Sequence, residues 1–140
     1  MITVTSRHWL AIEACAKAVH AKLGAGQTFE TYMDALETEF KANGVEYTRN
    51  APIPVYYNGK RISKDYTADF LCYGALIIKV YAKSNIQIRN REQMRCILDT
   101  TNCYAAYIEV LGGEKYRSSR VFRRSDEAVK QILRGEGIEV

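Results

Sequence analysis

Tyr66-Thr67-Ala68-Asp69-Phe70-Leu71 and, four residues further on, Leu76-Ile77-Ile78-Lys79-Val80-Tyr81-Ala82 are two runs of mostly β-branched, aromatic and aliphatic residues. Two such runs joined by a short connection predict an antiparallel β-hairpin. Side chains alternate between the two faces of a strand, which places Lys79 and Tyr81 on the same face. We therefore expect Asp69, the lone aspartate of the first run, to meet Lys79 and Tyr81 across the hairpin.

Helical patterns lie on both sides of this hairpin. Ser6 and Thr28 are predicted to cap two helices whose apolar residues recur at helical spacing. Asn90 is predicted to cap a third helix, from Arg91 to about Thr100, which would carry Gln93 toward the sheet. Ser125 is predicted to cap a last helix near the C-terminus. The alternation of helices and strands predicts an α/β fold with a central mixed sheet flanked by helices and one added C-terminal helix.

Further strands are predicted from short apolar and aromatic runs. Asn58-Gly59 is a strong signal for a two-residue hairpin turn, and the prolines before it favour an edge strand. The predicted strands cover residues 45–49, 52–57, 60–63, 104–111 and 116–123.

The composition sets limits on the class of protein. With 140 residues and 47% hydrophobic side chains, the chain is long enough for one core, and we expect residues 1–140 to form a single domain. No apolar run approaches the roughly 18 residues that cross a bilayer, and the N-terminus shows no signal segment, so we expect a soluble, intracellular protein without a membrane partner. Four cysteines without paired short spacing and two histidines predict no zinc site and reduced thiols.

Several landmarks occur in a recognisable order over residues 8 to 113. They are Ala18-Val19-His20, Leu23-Gly24-Ala25-Gly26, Tyr32 with Ala35-Leu36, Pro52 to Gly59, Tyr66 to Leu71, and Glu92 to Leu98 around Gln93. In order and spacing the chain resembles the GxxExxY family, a small branch of the PD-(D/E)xK nuclease-like fold. The resemblance implies a restriction-endonuclease-like core, extended here by a C-terminal strand and helix over residues 114–140. In an active member of this fold, two carboxylates hold a divalent metal ion and a lysine assists phosphodiester hydrolysis.

The same resemblance implies that most of these catalytic charges are missing. The family's glutamates fall on Ala18, Phe29 and Lys79, and its lysine falls on Tyr81. Glu30 lies one position late, and a one-residue slip turns a helical side chain by about 100°. We expect the fold to be kept, hydrolysis to be lost, and no metal or other cofactor to bind. The expected remnant of the cleft comprises His20, Asp69, Lys79, Tyr81 and Gln93, with Tyr32 in support.

Two of these residues have simpler alternatives. Lys79 could stand beside Asp69 as a built-in positive charge in place of a metal ion, or it could extend into water from a half-exposed strand. His20, near the end of the first helix, is compatible with a core or helix-end position as well as with the cleft.

A basic, aromatic segment follows Gly112-Gly113. Its cations could neutralise phosphates, and its aromatic residues could stack on bases or sugars. The same segment is compatible with a charged strand edge that discourages aggregation. The candidate nucleic-acid contacts are Lys79, Arg89, Arg91, Lys115, Arg117, Arg120, Arg123 and Arg124.

Three functions are compatible with the sequence. We favour a catalytically inactive nuclease-like protein that binds nucleic acid. The second is a structural or assembly subunit, including a homo-oligomer, in a cellular or viral particle. The third is a working metal-dependent nuclease whose acids have migrated, using Asp69 with Glu30 or Glu13 and a lysine such as Lys79 or Lys83.

Overall fold

The computed structural model describes residues 3–103, 105–123 and 138–139. Within these residues the helices are α1 (Ser6–Leu23), α2 (Phe29–Ala42) and α3 (Ile88–Thr100). The strands are β1 (Thr3–Val4), β2 (Tyr47–Ile53), β3 (Tyr56–Tyr57), β4 (Lys60–Arg61), β5 (Tyr66–Cys72), β6 (Leu76–Tyr81), β7 (Ala105–Val110), β8 (Arg117–Phe122) and β9 (Ile138–Glu139). The last predicted helix, with its cap Ser125, lies outside the described residues.

The main sheet has five strands in the order β2-β5-β6-β7-β8. Its β6–β7 pair is parallel and its other pairs are antiparallel, which confirms the predicted mixed sheet. Parallel neighbours need a crossover connection, and α3 supplies it. One buried cluster packs α1 and α2 on one face of the sheet, and a second packs α3 on the other. In the described part of the chain, no helix is long and apolar enough to span a bilayer.

The predicted hairpin of β5 and β6 is confirmed, with Phe70 opposite Ile78 and Cys72 opposite Leu76. The Asn58-Gly59 turn is also confirmed, because both residues have the positive φ angles, 50° and 76°, of a type I′ turn. Pro52 lies on β2, an edge strand of the main sheet, as expected.

Two predicted helix caps were wrong. The N-cap of α1 is Thr5 instead of Ser6, and His8 Nδ1 accepts a hydrogen bond from the Thr5 backbone N–H at 3.0 Å. The N-cap of α3 is Gln87, and Asn90 lies in the first turn, where its Oδ1 accepts from the Gln87 N–H at 2.8 Å. In both cases a polar side chain inside the helix bonds back to the cap residue. The cap predicted at Thr28 is confirmed, since its Oγ1 accepts from the Thr31 N–H.

The first strands have other bounds than predicted. Instead of strands over 45–49 and 52–57, β2 covers Tyr47–Ile53 and the short β3 covers Tyr56–Tyr57. Asn50 lies in the middle of β2 with a φ of 53°. The sequence around Asn50 resembles the end of a strand, but β2 continues through this position.

The end of β7 packs directly on the end of β6. The Leu111 N–H donates to the Tyr81 carbonyl and the Gly112 N–H to the Lys83 carbonyl, both at 3.0 Å. A Cβ at Gly112 would lie 2.5 Å from both the carbonyl carbon and the oxygen of Ala82. Only a residue without a side chain allows this approach of two backbones.

Gly112→Ala is therefore expected to destabilise the protein by about 2–3 kcal/mol, because backbone atoms cannot rotate away as a flexible side chain can. The free energy of unfolding from urea denaturation measures the effect. Lys64→Ala, at an exposed position between β4 and β5, is the control and should change stability by less than about 0.5 kcal/mol. Equal stability of Gly112→Ala and the parent protein would contradict the close approach.

Candidate functional site

Asp69 lies at a break in the middle of β5. The register pairs Arg49 with Phe70 and Ala51 with Ala68, but the intervening Asn50 and Asp69 are not paired, and the β5–β6 ladder ends at Phe70. Ala68 and Phe70 pack into clusters on opposite faces of the sheet, although residues two apart on a regular strand share a face. The break frees the Asp69 carboxylate, whose Oδ2 accepts the backbone N–H of Val80 at 2.8 Å.

The ammonium group of Lys79 lies beside that carboxylate. Its Nζ is 3.4 Å from Asp69 Oδ2, and the side chains of Lys79 and Asp69 are 31% and 14% exposed. The same Nζ lies 5.2 Å from the ring centroid of Tyr81 and 6.0 Å from that of Phe29, within the range of cation–π attraction. Asp69, Lys79, Tyr81 and Phe29 form what we call the Asp69 site.

The predicted meeting of Asp69, Lys79 and Tyr81 across the hairpin is present in the structure. Phe29, the first residue of α2, joins them from another part of the chain. It occupies the position onto which the resemblance places a glutamate, so its ring stands where an active relative is expected to have a carboxylate.

Tyr66 borders the Asp69 site. Burial, with a smaller contribution from the negative charge of Asp69, raises the pKa of Tyr66 to about 12. On the other side, Lys83 Nζ lies 5.7 Å from the Tyr81 ring. The Asp69 site thus combines one carboxylate, one amine and two aromatic rings, with Tyr66 and a second amine, that of Lys83, at its border.

Tyr32 positions the loop that leads to Phe29. Its hydroxyl donates to the Gly24 carbonyl at 2.8 Å and accepts from the Gln27 N–H at 3.2 Å. Tyr32 thus fixes the α1–α2 loop, while its predicted supporting role in the cleft stays a prediction.

His20 occupies the helix-end position that the sequence left open as an alternative to the cleft, whereas Gln93 departs from its predicted position. His20 Nε2 lies 2.7 Å from the Gly113 carbonyl, so this ring nitrogen donates its hydrogen and holds the β7–β8 turn against α1. Gln93 is exposed, whereas Met94 and Leu98 are the buried residues of α3. The expectation that α3 carries Gln93 toward the sheet is therefore wrong.

The donor set does not fit a divalent metal ion of the kind the fold suggests. Asp69 already has the Lys79 ammonium and the Val80 N–H at one carboxylate oxygen. Glu30 pairs instead with Arg49 at 3.1 Å, and Glu13 pairs with Lys17 at 3.0 Å. Among the described residues, no three His, Cys, Asp or Glu side chains are grouped so as to hold a metal ion.

The candidate nucleic-acid contacts divide into two groups. Arg120 Nε donates to the Tyr107 hydroxyl at 2.8 Å, and its guanidinium stacks on the Trp9 ring. Arg123 donates to the carbonyls of Leu98 and Thr101 at the end of α3. The two arginines therefore bind groups within the protein, and the neighbouring sequence did not indicate these contacts.

Of the other candidates, Lys79 belongs to the Asp69 site, and Arg91, Lys115 and Arg117 gather at one end of the sheet. The ends of β6 and β7, the start of β8 and the start of α3 meet there. Arg91 and Arg117 line one cavity, and Lys115 and Arg117 line its neighbour. Arg89 is exposed in the first turn of α3, and Arg124 lies outside the described residues.

Glu109 is a buried carboxyl group that the sequence analysis did not single out. It lies on β7, all of whose residues are buried, and its Oε2 accepts from the Tyr116 hydroxyl at 2.6 Å. Its Oε1 is buried, and no group among the described residues forms a hydrogen bond with it. Burial raises the pKa of Glu109 to about 8, although the bond from Tyr116 opposes that rise. In the sequence, the feature that could have indicated this buried carboxyl group is a single charged residue inside the otherwise apolar run of residues 105–111.

The sheet order and the broken hairpin define a nuclease-like α/β protein of the restriction-endonuclease type. The family model described as the PD-(D/E)XK nuclease superfamily matches residues 7–118, and the chain belongs to this superfamily. A crystal structure of a protein designated SSO0001 has a TM-score of 0.54 and 14% sequence identity, and the match covers 75% of this chain. This chain spans 55% of the length of that protein, and at such identity the likeness concerns the fold alone. No curated protein matches the chain.

Proposed function

We propose that this protein belongs to the GxxExxY branch of the superfamily, has lost metal-dependent hydrolysis and binds nucleic acid. The observation that carries the proposal is the Lys79 ammonium 3.4 Å from the Asp69 carboxylate, at the position where the resemblance places a metal-binding glutamate. A fixed cation there repels a divalent ion and neutralises the one carboxylate that could attract it.

The other candidate acids are paired with basic side chains, which supports the loss of hydrolysis. A migrated active site would need Glu30 or Glu13 beside Asp69. Glu30 pairs with Arg49, which also binds Asp34 and Glu37 from α2. Hydrogen bonding to Lys17 lowers the pKa of Glu13, a sign that this carboxylate is stabilised where it is. Moving either acid would break these contacts.

Nucleic acid is the partner that the remaining charges suit best. Lys83, Arg89, Lys115 and Arg117 are exposed near the ends of β6 and β7. Lysine and arginine side chains at such a surface contact phosphates, so binding should tolerate changes of base sequence and weaken in salt.

A salt series tests the binding. We expect the affinity for a fluorescein-labelled oligonucleotide of mixed sequence, measured by anisotropy, to fall about 10- to 100-fold between 50 and 200 mM NaCl, as for roughly three to five released phosphate counterions. A second oligonucleotide of scrambled sequence should bind within about twofold of the first. Absence of binding at 50 mM NaCl, together with a stable oligomer in sedimentation, would favour an assembly subunit instead.

The same oligonucleotides test the loss of hydrolysis. Incubation with Mn²⁺ should leave them intact. Manganese-dependent cleavage that Asp69→Asn abolishes would establish a working nuclease and overturn the proposal.

A further inference from the structure

A cavity of about 530 Å³ opens beside β8, on the side of the basic residues. We call it the edge cavity. Its walls come from α1, α3, the segment that precedes α3, and β8. The residues that matter for the argument are Lys17, Arg91, Tyr116, Arg117, Ser118 and Ser119.

Positive charge dominates this cavity. Lys17, Arg91 and Arg117 line it together with one acid, Glu13. Glu13 pairs with Lys17 at 3.0 Å, lies 3.7 Å from Arg120 and accepts the Tyr107 hydroxyl, so it offsets about one of these positive charges and leaves the cavity with an excess of cations. Arg117 is exposed, and no ion pair engages it among the residues that the structure describes. Its guanidinium is therefore available to an anion.

The wall behind the cavity adds no compensating negative charge near neutral pH. Tyr116 lines the cavity, and its hydroxyl is bonded to the buried Glu109. Burial favours the uncharged form of that carboxyl group, so the cations of the edge cavity are not neutralised from the inside. The phenol is fixed by this bond, which holds the Tyr116 ring at the cavity wall.

The chemistry of the walls suits a phosphate with its attached nucleotide. Guanidinium and ammonium groups bind phosphate oxygens, the hydroxyls of Ser118 and Ser119 can donate further hydrogen bonds, and an aromatic ring offers a stacking surface. Cations on α1 and α3 can approach one phosphate from different sides. The cavity is concave and has the volume of a small-ligand pocket, so a flexible single strand can enter it, whereas the convex surface of a stiff duplex cannot.

We propose that the edge cavity binds a phosphate and its nucleotide from single-stranded nucleic acid. This inference rests on the proposed nucleic-acid binding and assigns its site to residues of β8 and α1 that do not belong to the Asp69 site. It predicts that single strands bind more tightly than duplexes of the same length, and that Arg117 and Lys17 contribute to the difference.

Anisotropy titrations at 50 mM NaCl with a labelled 12-nucleotide single strand and the matching duplex test the inference. We expect Arg117→Gln to weaken single-strand binding about tenfold and to reduce the salt slope by roughly 0.7, as for one lost contact with a single strand. Arg117→Gln with Lys17→Gln should weaken it further. Lys41→Gln, at an exposed position in the last turn of α2, is the matched control and should bind like the parent protein.

The outcomes separate this inference from the function on which it rests. If the parent protein binds neither oligonucleotide, the proposed function fails. If it binds the single strand but both cavity variants bind as Lys41→Gln does, the function stands and the edge cavity is not its site. Equal affinity for the duplex and the single strand would overturn the strand preference. Urea denaturation of each variant shows whether a loss of binding reflects unfolding.

Discussion

The free energy of unfolding is expected to fall between pH 5 and pH 8, and Glu109→Gln should remove most of that fall. Glu109 is fully buried, and burial raises its pKa from 4.5 to about 8. Between these two values the folded protein keeps a proton on Glu109 that the unfolded chain has released. Stability falls with rising pH wherever the folded state binds more protons, so each pH step upward favours unfolding.

The size of this effect follows from the interval between the two pKa values. At about 1.4 kcal/mol per pKa unit, the upper limit is roughly 5 kcal/mol at pH 8. The contribution of Glu109 to the free energy of unfolding is present in full below pH 4.5 and is lost as the pH rises. Once the carboxyl group also ionises in the folded protein, above pH 8, this contribution no longer changes with pH. The pKa of about 8 already includes the opposing hydrogen bond from Tyr116.

Urea denaturation at pH 5, 6, 7 and 8 measures this dependence. Glutamine accepts the Tyr116 hydrogen bond without ionising, so the stability of Glu109→Gln should change less with pH than that of the parent protein. Glu46→Gln, at an exposed position, is the control and should keep the parent's pH dependence. Parallel curves for Glu109→Gln and the parent protein would show that Glu109 does not hold its proton in the folded state.

Local patterns were sufficient for the elements that local chemistry determines. The β5–β6 hairpin, the Asn58-Gly59 turn and the Thr28 cap depend on residues close in sequence, and all three are confirmed. The meeting of Asp69 with Lys79 was predicted because the two residues belong to one hairpin, but the break in β5 at Asp69 was not predicted.

The remainder depends on contacts between distant residues. Arg120 and Arg123 belong to a basic run that favours contact with solvent or phosphate. In the structure, Arg120 instead lies over the Trp9 ring, and Arg123 donates a hydrogen bond to a carbonyl at the end of α3. Gln93 is exposed because Met94 and Leu98 are the residues of α3 that pack on the sheet. Such choices are made by packing between elements, and no periodicity within one element encodes them.

Lys79→Glu is expected to create a stabilisation by Mn²⁺ that the parent protein lacks. The substitution replaces the ammonium group 3.4 Å from Asp69 by a carboxylate, so two negative charges face each other at the end of the hairpin. Without metal their repulsion should lower the melting temperature. A divalent cation bound by both carboxylates would reverse this loss, because oxygen ligands suit such an ion.

The expected gain follows from mass action. At a free Mn²⁺ concentration about a hundredfold above the Kd, binding to the folded state alone adds about 2.7 kcal/mol, which corresponds to several degrees in melting temperature. Differential scanning fluorimetry over a range of MnCl₂ concentrations measures the shift without any requirement for catalysis. Adding Phe29→Glu should enlarge it, because the Phe29 ring lies 6.0 Å from the position of the present amine.

Two variants separate metal binding from a general effect of charge. Lys79→Gln removes the ammonium without adding a ligand and should gain little from Mn²⁺. Asp69→Asn in the Lys79→Glu background removes one of the paired carboxylates and should abolish the gain. If the parent protein itself is stabilised by Mn²⁺ and Asp69→Asn removes that stabilisation, the amine does not exclude the ion, and the loss of the metal site must be rejected. The break in β5 and the position of the Asp69 carboxylate beside residue 79 are already in place, so the charge of the side chain at position 79 decides whether two carboxylates face each other there.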